Sequence, residues 1–342
     1  VNATAGGATQ CPRLQTQGTS LLLTKFNEQL DRASYDVLAG EPRGHLGASA
    51  IGGKCARKIW YQFRWYKEEA FSGRLLRLFN RGHEEEFRIV RWLRAMGLEV
   101  RDYKQRLYWH EESDTYVQYD WDFVPNEVEH LKDVHSDPMH INRATQRGEG
   151  PAQWNFRDGH FSGSADGVVH GVDKFVPQLK GRGPGLLECK TSNDRAFNDL
   201  NLNGVYKSKF EHFVQMQVYM RKLGLQWALY VCVNKNDDAI YVELVAADAP
   251  TADRFEDRAQ QIIAQREPPA RMSDDATWWQ CKFCAYKGIC HGGETPEPHC
   301  RNCAMAEATE SGHWICHKYN ATIEGEDMAK RGLVCEAWEE IK

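Results

Sequence analysis

Gly163-Ser164-Ala165-Asp166-Gly167-Val168-Val169 and Gly185-Leu186-Leu187-Glu188-Cys189-Lys190 are the two stretches on which the reading of this chain turns. Each is a short apolar run bounded by glycine, so the first reads as one strand and the second as its neighbour. Adjacent strand ends can bring two carboxylates and one ammonium within a few ångströms of each other. Such a group holds a hard divalent cation, Mg²⁺ or Mn²⁺, and steers a water molecule, which points to phosphodiester hydrolysis. Asp166 and Glu188 would be the carboxylate ligands and the backbone carbonyl of Cys189 a further oxygen ligand. Lys190 would orient or help deprotonate the water, or neutralise charge on the phosphate. The competing reading of Glu188 and Lys190 is a surface ion pair.

Working outward, apolar residues at helical spacing (Leu22, Phe26, Leu30, Val37) predict a helix from Leu21 to Ala39, after a polar tail over residues 1–20 expected to be disordered. A start at Val rather than Met suggests a trimmed chain. A basic and aromatic helix is expected from about Ser49, and another from Leu75 to Met96 with Gly97 as its C-cap. Val100 to Phe123 alternates like a hairpin, and Pro125 to Gln153 has no period and reads as a long mobile insertion. Beyond the two central strands come a helix (Phe210 to Leu223), a buried strand (Trp227 to Val233) with a hairpin partner (Ile240 to Val245), and a helix (Thr251 to Arg266). Helices and strands mixed in this order predict an α/β fold.

The 342 residues are 42% hydrophobic and 11% aromatic, the composition of a globular protein with a sizeable core. No apolar run reaches the roughly 18 residues that a membrane-spanning helix needs. Net charge is −5, yet residues 54–106 hold fourteen Lys or Arg against seven Asp or Glu, a local +7. A local basic surface is what a DNA partner needs. Arg57, Lys58, Arg64 and Arg81 are candidate phosphate contacts there, as are Lys207 and Lys209 further on. Aromatics interleaved with the first of these suit base stacking, although Ile59, Trp60 and Phe63 also fit a core stripe.

Eleven cysteines without a signal-peptide pattern suggest metal in a reducing, cytoplasmic setting (the host's, if the chain is viral) rather than disulfides. Cys281-x2-Cys284-x5-Cys290 is a metal signature, with Cys55 the best candidate for a fourth ligand. Tetrahedral zinc and a cluster both fit such a set. Cys300-x2-Cys303, Cys316 and Cys335 form a second set with zinc-ribbon spacings, with His299, His313 and His317 as nearby substitutes. Cys189 and Cys232 read as buried strand residues, and Cys11 carries no role.

Two further features complete the pattern. Gln215 and Tyr219 share a helical face about 25 residues after Lys190, and His83 and Glu86 are three apart in Arg81-Gly82-His83-Glu84-Glu85-Glu86. Together with Gly163 to Asp166 and Glu188-Cys189-Lys190, they resemble the RecB-like branch of the PD-(D/E)XK nuclease superfamily. The resemblance runs from about Cys55 to Cys290. It implies a restriction-endonuclease-like core, a mixed central sheet flanked by helices, with Gln215 and Tyr219 joining Asp166, Glu188 and Lys190 as catalytic residues. Many RecB-like nucleases carry a metal-binding His four residues after the Gly. Here that position is Glu86, as in the Arg-Gly-x-x-x-Glu of lambda exonuclease-like proteins, and His83 stays an alternative. One cysteine before the core and three after it resemble the iron–sulfur members, AddB-type helicase–nucleases and CRISPR-adaptation exonucleases. That implies a [4Fe–4S] staple on Cys55, Cys281, Cys284 and Cys290.

The expected organisation is a tail (1–20), a nuclease domain with its iron–sulfur cysteines (21–295) and a small cysteine-rich zinc module (296–342). The expected function is Mg²⁺- or Mn²⁺-dependent hydrolysis of single-stranded DNA or DNA ends by an exonuclease, for recombination, repair or replication and with partner proteins from those processes. The alternatives are a structure-dependent endonuclease and a DNA-binding or assembly subunit that no longer cleaves.

Overall fold

The computed structural model describes residues 17–40, 43–67, 71–122, 130–323 and 335–341. Cys11 and the expected tail up to residue 16 lie outside these, as does Phe123. The first elements are α1 (Gln17–Leu38), β1 (Leu46–Gly47), α2 (Ala48–Ile51), α3 (Ala56–Phe63) and α4 (Gly73–Ala95). Next come β2 (Glu99–Arg101), β3 (Arg106–His110), β4 (Thr115–Tyr119), β5 (Leu131–Asp133), α5 (Pro138–Gln146) and β6 (Trp154–Asp158). The centre of the chain supplies β7 (Phe161–Ala165), β8 (Gly167–His170), β9 (Gly185–Ser192), α6 (Asp194–Ser208), α7 (Phe210–Leu223), β10 (Trp227–Asn234) and β11 (Ile240–Ala246). The last are α8 (Ala249–Ala264), α9 (Trp279–Lys282), α10 (Lys287–His291), β12 (Ala306–Ala308), β13 (Trp314–Cys316) and β14 (Ala321–Ile323).

Five strands form the main sheet in the order β11-β10-β9-β8-β2. β9 and β10 are parallel and the other neighbours antiparallel, so the α/β class with a mixed sheet holds. A parallel pair needs a crossover, and α6 and α7 supply it. All eight residues of β10 are buried, as expected for a strand covered on both faces. Side chains alternate between two cores. Leu186, Tyr230 and Cys232 pack with residues of α2, α3, α6, α7 and α8, whereas Leu187, Cys189, Leu229 and Val231 pack with Ile89 and Val90 of α4. α7 begins with Glu211, ends with Arg221 and Lys222, and stops at Gly224 in the left-handed region (φ 69°). Those charges complement the helix dipole at each end.

The backbone divides into two compact units, one drawn from Val1–Glu41 and Ala70–Arg81, the other from Pro42–Glu69 and Gly82–Lys342. In the first, Arg77 of α4 pairs with Asp31 of α1 at 3.1 Å and donates to Ser34 Oγ at 2.8 Å. The second holds both cores described above, the carboxylate–lysine cluster and the cysteine cavity.

Several expectations change. Residues 163–169 are not one strand. β7 pairs with β1 and β6 in a separate sheet, β8 joins the main one, and Asp166 sits at the break. The basic-aromatic helix is two, α2 and α3, parted at Gly52-Gly53 because α7 runs against this turn: a Cβ on Gly52 would lie 2.9 Å from Glu211 Cα. The hairpin is β3–β4 alone, since β2 pairs with β8. The expected loop at 125–153 contains β5, which pairs with β3, and α5, whose Asp137 N-cap accepts from Met139 N–H at 2.9 Å ahead of Pro138. α6 was not expected, and α1 starts within the supposed tail, at Gln17. Among the described residues no helix is long and apolar enough to cross a membrane.

Candidate active site and cysteine cavity

β9 places Glu188 and Lys190 two residues apart on one face, opposite Tyr230 and Cys232 of β10. Glu188 is fully buried, and its Oε1 accepts a hydrogen bond from the Lys190 ammonium. No hydrogen-bond partner reaches its Oε2 among the described residues. Asp166 is anchored beside them because its Oδ2 accepts the Cys189 backbone N–H at 2.7 Å. Where β7 gives way to β8, this bond ties the carboxylate to the neighbouring strand.

Glu86 of α4 completes the group. Burial, with the charges of Asp166 and Glu188, pushes its carboxyl up to about 9 against the opposing pull of Lys190. Burial and Asp166 likewise push Glu188 up to about 7, although Lys190 pulls it down. Burial would depress the Lys190 ammonium, but Glu188 and Asp166 outweigh it and hold its pKa above that of an ordinary lysine. Three carboxylates thus face one ammonium in a shielded site, and like charges so placed cannot all ionise cheaply. His83, one turn earlier on α4, is exposed. The structure therefore brings Glu86, and not His83, to Asp166.

The α7 wall of the site carries both predicted residues. Gln215 Nε2 donates to Tyr219 Oη at 3.4 Å, and both side chains are buried. Burial first, then Glu188 and Asp166, raise the Tyr219 hydroxyl above its ordinary value. Tyr219 also explains Gly163, where a Cβ would lie 2.5 Å from the phenol ring. The glycine before the aspartate is needed for this close approach. The Cys189 thiol turns to the opposite core, and burial raises its pKa.

Three neighbours were not foreseen. His212 of α7 hydrogen-bonds Tyr230 Oη through Nδ1 at 2.9 Å, and burial plus the charge of Lys190 push it down to about 3, so the imidazole is neutral. On the α4 side, Asp102 accepts from Arg94 Nη2 at 2.7 Å and from His135 Nε2 at 2.5 Å. Burial would raise Asp102, but His135 and Arg94 hold it below the usual carboxylate range. Leu107 N–H donates to His135 Nδ1 at 3.2 Å, which leaves Nε2 to carry the imidazole proton. Asp102 adds to the negative field felt by Glu86.

A pH dependence follows. A carboxyl whose folded pKa lies above its unfolded value of about 4.5 holds its proton more tightly in the folded chain. Its stabilisation is complete below that value and is lost as pH rises through about 7 for Glu188 and about 9 for Glu86. In a chelating buffer, these two carboxyls should therefore pull the thermal midpoint down between pH 5 and pH 9, against buried imidazoles such as His160 and His212, whose lowered pKa values add stability as pH rises towards 6.5. Glu188→Gln should flatten the lower part of that fall; an unaltered slope in calorimetry would contradict the assignment.

The expected DNA contacts divide. Lys58, Arg81 and Lys207 are exposed and Lys209 is half-buried. Arg57 is held at 2.9 Å from Tyr61 Oη. Arg64 is a correction, because it is 1% exposed and cannot meet a polymer. Its guanidinium donates to the carbonyls of Arg301, Ala306 and Gln265 at 3.3 Å and lies over the rings of Trp60 and Trp314. Arg301, equally buried, stacks on Phe63, Trp65 and Trp314, so these two cations tie α3 to the cysteine-rich C-terminal segment.

Cys55, Cys281, Cys284 and Cys290 line one cavity of about 660 Å³. Burial first, then Cys290, Cys55 and Cys284, raise the Cys281 thiol, which therefore feels all three of the others. Cys55 is the N-cap of α3, its Sγ accepting Lys58 N–H at 3.4 Å. Arg258 of α8 fixes the turn before it by donating to the carbonyls of Ile51 (2.9 Å) and Gly53 (2.7 Å). In the second set, Cys300 and Cys303 flank a 3₁₀ turn, and Met305 N–H donates to Cys303 Sγ at 3.4 Å. Tyr319 hydrogen-bonds Cys335 and feels Cys316. Of the substitutes, His299 Nδ1 is taken by Arg301 N–H at 3.0 Å, and His317 pairs with Glu307 at 2.7 Å. Among the described residues, no three His, Cys, Asp or Glu side chains stand close enough to hold a single ion.

No protein-family model and no curated protein matches the sequence. Among solved structures, the chain is similar to an alkaline exonuclease from Laribacter hongkongensis. Identity is 17%, the TM-score is 0.37, and the match covers 69% of this chain and 91% of that one. A structure of that exonuclease in complex with dAMP gives the same identity, coverage and TM-score. A phage-related exonuclease from Haemophilus somnus 129PT matches at 17% identity and a TM-score of 0.21, over 42% of this chain and 72% of that one. These likenesses are weak in sequence and in shape, so the chemistry of the site rests on its own residues.

Proposed function

We propose that the chain is a Mg²⁺- or Mn²⁺-dependent DNA nuclease, acting as an exonuclease on single strands or DNA ends. The observation that carries this reading is the crowding of Glu86, Asp166 and Glu188 around the single ammonium of Lys190. The unpartnered, buried Oε2 of Glu188 and the raised carboxyls of Glu86 and Glu188 fit a hard divalent cation, which would relieve both. Asp166, Glu188 and the carbonyl of Cys189 would hold it, with Glu86 drawn in on binding, because among the described residues no three such side chains already stand at single-ion spacing. When bound, the cation supplies Lewis-acid stabilisation of the charge that builds on the phosphate.

The side chains do the remaining work. Attack of a water oxygen on phosphorus breaks one P–O ester bond; one water proton ends on the departing oxygen, which leaves as a free hydroxyl, and the other is released to solvent from the phosphomonoester. Lys190 stays an ammonium, so it donates to the attacked phosphate and offsets its charge rather than taking the water's proton. Gln215 and Tyr219 bound the pocket on the α7 side and present an amide and a hydroxyl for orienting water or phosphate. Lys58, Lys207 and Lys209 are proposed to contact the strand's phosphates, and Arg81, in the other unit, is proposed separately as a phosphate contact.

The cavity lined by Cys55, Cys281, Cys284 and Cys290 is proposed to hold a [4Fe–4S] cluster. The four thiols lining one cavity support this reading, and tetrahedral zinc on the same sulfurs is the alternative. Zinc is proposed for Cys300, Cys303, Cys316 and Cys335. Strands labelled at the 5′ or 3′ end, and a circular single strand, test the mode of action. Loss of both linear strands with the circle intact is expected, and nicking of the circle would instead make the chain an endonuclease.

A further inference from the structure

We infer that the rim of the cysteine cavity is a stacking platform for an unpaired DNA strand, with Trp279 and Phe283 as its two rings. The inference rests on the nuclease reading only for the identity of the polymer. Trp279 is 61% exposed and Phe283 81% exposed, although both are large apolar rings. They lie four residues apart, on α9 and immediately after it, and both line the cavity mouth. Trp60 and Tyr286, by contrast, are buried in the aromatic cluster behind it. Two large rings left in water on one cavity mark a surface that something covers.

The charge around them identifies what covers it. Lys54, Lys58, Arg57 and Lys287 line the same cavity, and Glu211 is the one acidic side chain among the described residues that do. The Lys282 ammonium, between the two rings in sequence, lies 5.4 Å from the centre of Phe283. Rings interleaved with cations fit a polyanion that carries its own flat rings. In a duplex the base faces are already stacked on one another, so only an unpaired strand offers them to Trp279 and Phe283. Phosphates would meet the lysines while bases lie on the rings. A purely apolar protein partner would leave those cations desolvated and unpaired.

The test is fluorescence anisotropy of a labelled thymidine strand of about 20 nucleotides, long enough to span one single-strand site. Asp166→Asn in the full chain, without added divalent cation, stops cleavage without touching the rim. In that background, Trp279→Ala and Phe283→Ala should each weaken binding at least about fivefold, the lower end for losing one base–aromatic stack. Binding to a duplex of equal length should change less than about twofold. Trp279→Tyr and Phe283→Trp should restore single-strand affinity, which a merely structural role for the rings would not require. Unchanged circular dichroism and visible absorbance check that the alanine variants keep their fold and cavity. Single-strand affinity that survives loss of both rings, or equal losses on single strand and duplex, would overturn the inference. Degradation of DNA with undiminished affinity in the ring variants removes the platform and leaves the nuclease reading standing. Ring-dependent binding by a chain that never degrades DNA does the reverse.

Discussion

Replacing Lys190 by alanine should slow cation-dependent strand degradation by about 10²–10⁴-fold, the range for losing a positioned charge donor or general acid–base group. Lys190 is the one ammonium among three carboxylates, and its hydrogen bond to Glu188 and its nearness to Asp166 keep it charged. Without it, no protein cation in the cluster joins the bound metal in offsetting the charge of the attacked phosphate, and Glu188 loses the group that pulls its pKa down. Because the loss falls on the transition state, kcat should drop while KM changes little. Asp166→Asn should be at least as damaging while sparing the fold, since the replacing amide oxygen can still accept the Cys189 N–H. Degradation at the unaltered rate by either variant, measured on a labelled strand, would remove the catalytic assignment.

Cys281→Ser should remove broad absorbance near 400 nm and cost about 2–5 kcal/mol of stability, the range for losing a cross-link that closes a long loop. Cys55 stands at the start of α3, and Cys281, Cys284 and Cys290 lie after the whole main sheet in sequence. A group bound by all four therefore pins distant parts of one compact unit. The hydrogen bonds of Arg258 and the Tyr61–Tyr286 stack, with centroids 5.5 Å apart, hold the cavity walls independently of any bound group. The variant should consequently unfold at lower denaturant while retaining its secondary structure at rest. A colourless wild-type protein containing zinc would contradict the cluster, and unaltered stability in the variant would contradict the staple.

Much of this arrangement was legible from residues alone. Glu188 and Lys190 were placed correctly because a buried strand has a period of two, and α7 and β10 because their apolar runs are long and well bounded. The break at Asp166 was not legible. Whether β7 and β8 are one strand or two is decided by which strands they pair with, and those partners lie far away in sequence. Asp102 and His135 are 33 residues apart, so no local pattern joins them. Arg64 did carry a signal. It stands four residues after Trp60, on the apolar stripe, and a cation there is buried with the stripe. The offset of Glu86 from Gly82 points to it in the sequence, and α4 carries it into the field of Asp166 and Glu188.

The most direct test of the central claim is a time course of the wild-type chain on an end-labelled single strand, in Mg²⁺ or Mn²⁺ and again in chelator, beside Asp166→Asn. The carboxylate–lysine cluster predicts that the strand disappears only with the wild type and only with the cation. A strand that stays intact with wild type and cation, or that is lost equally with the variant or in chelator, would contradict it.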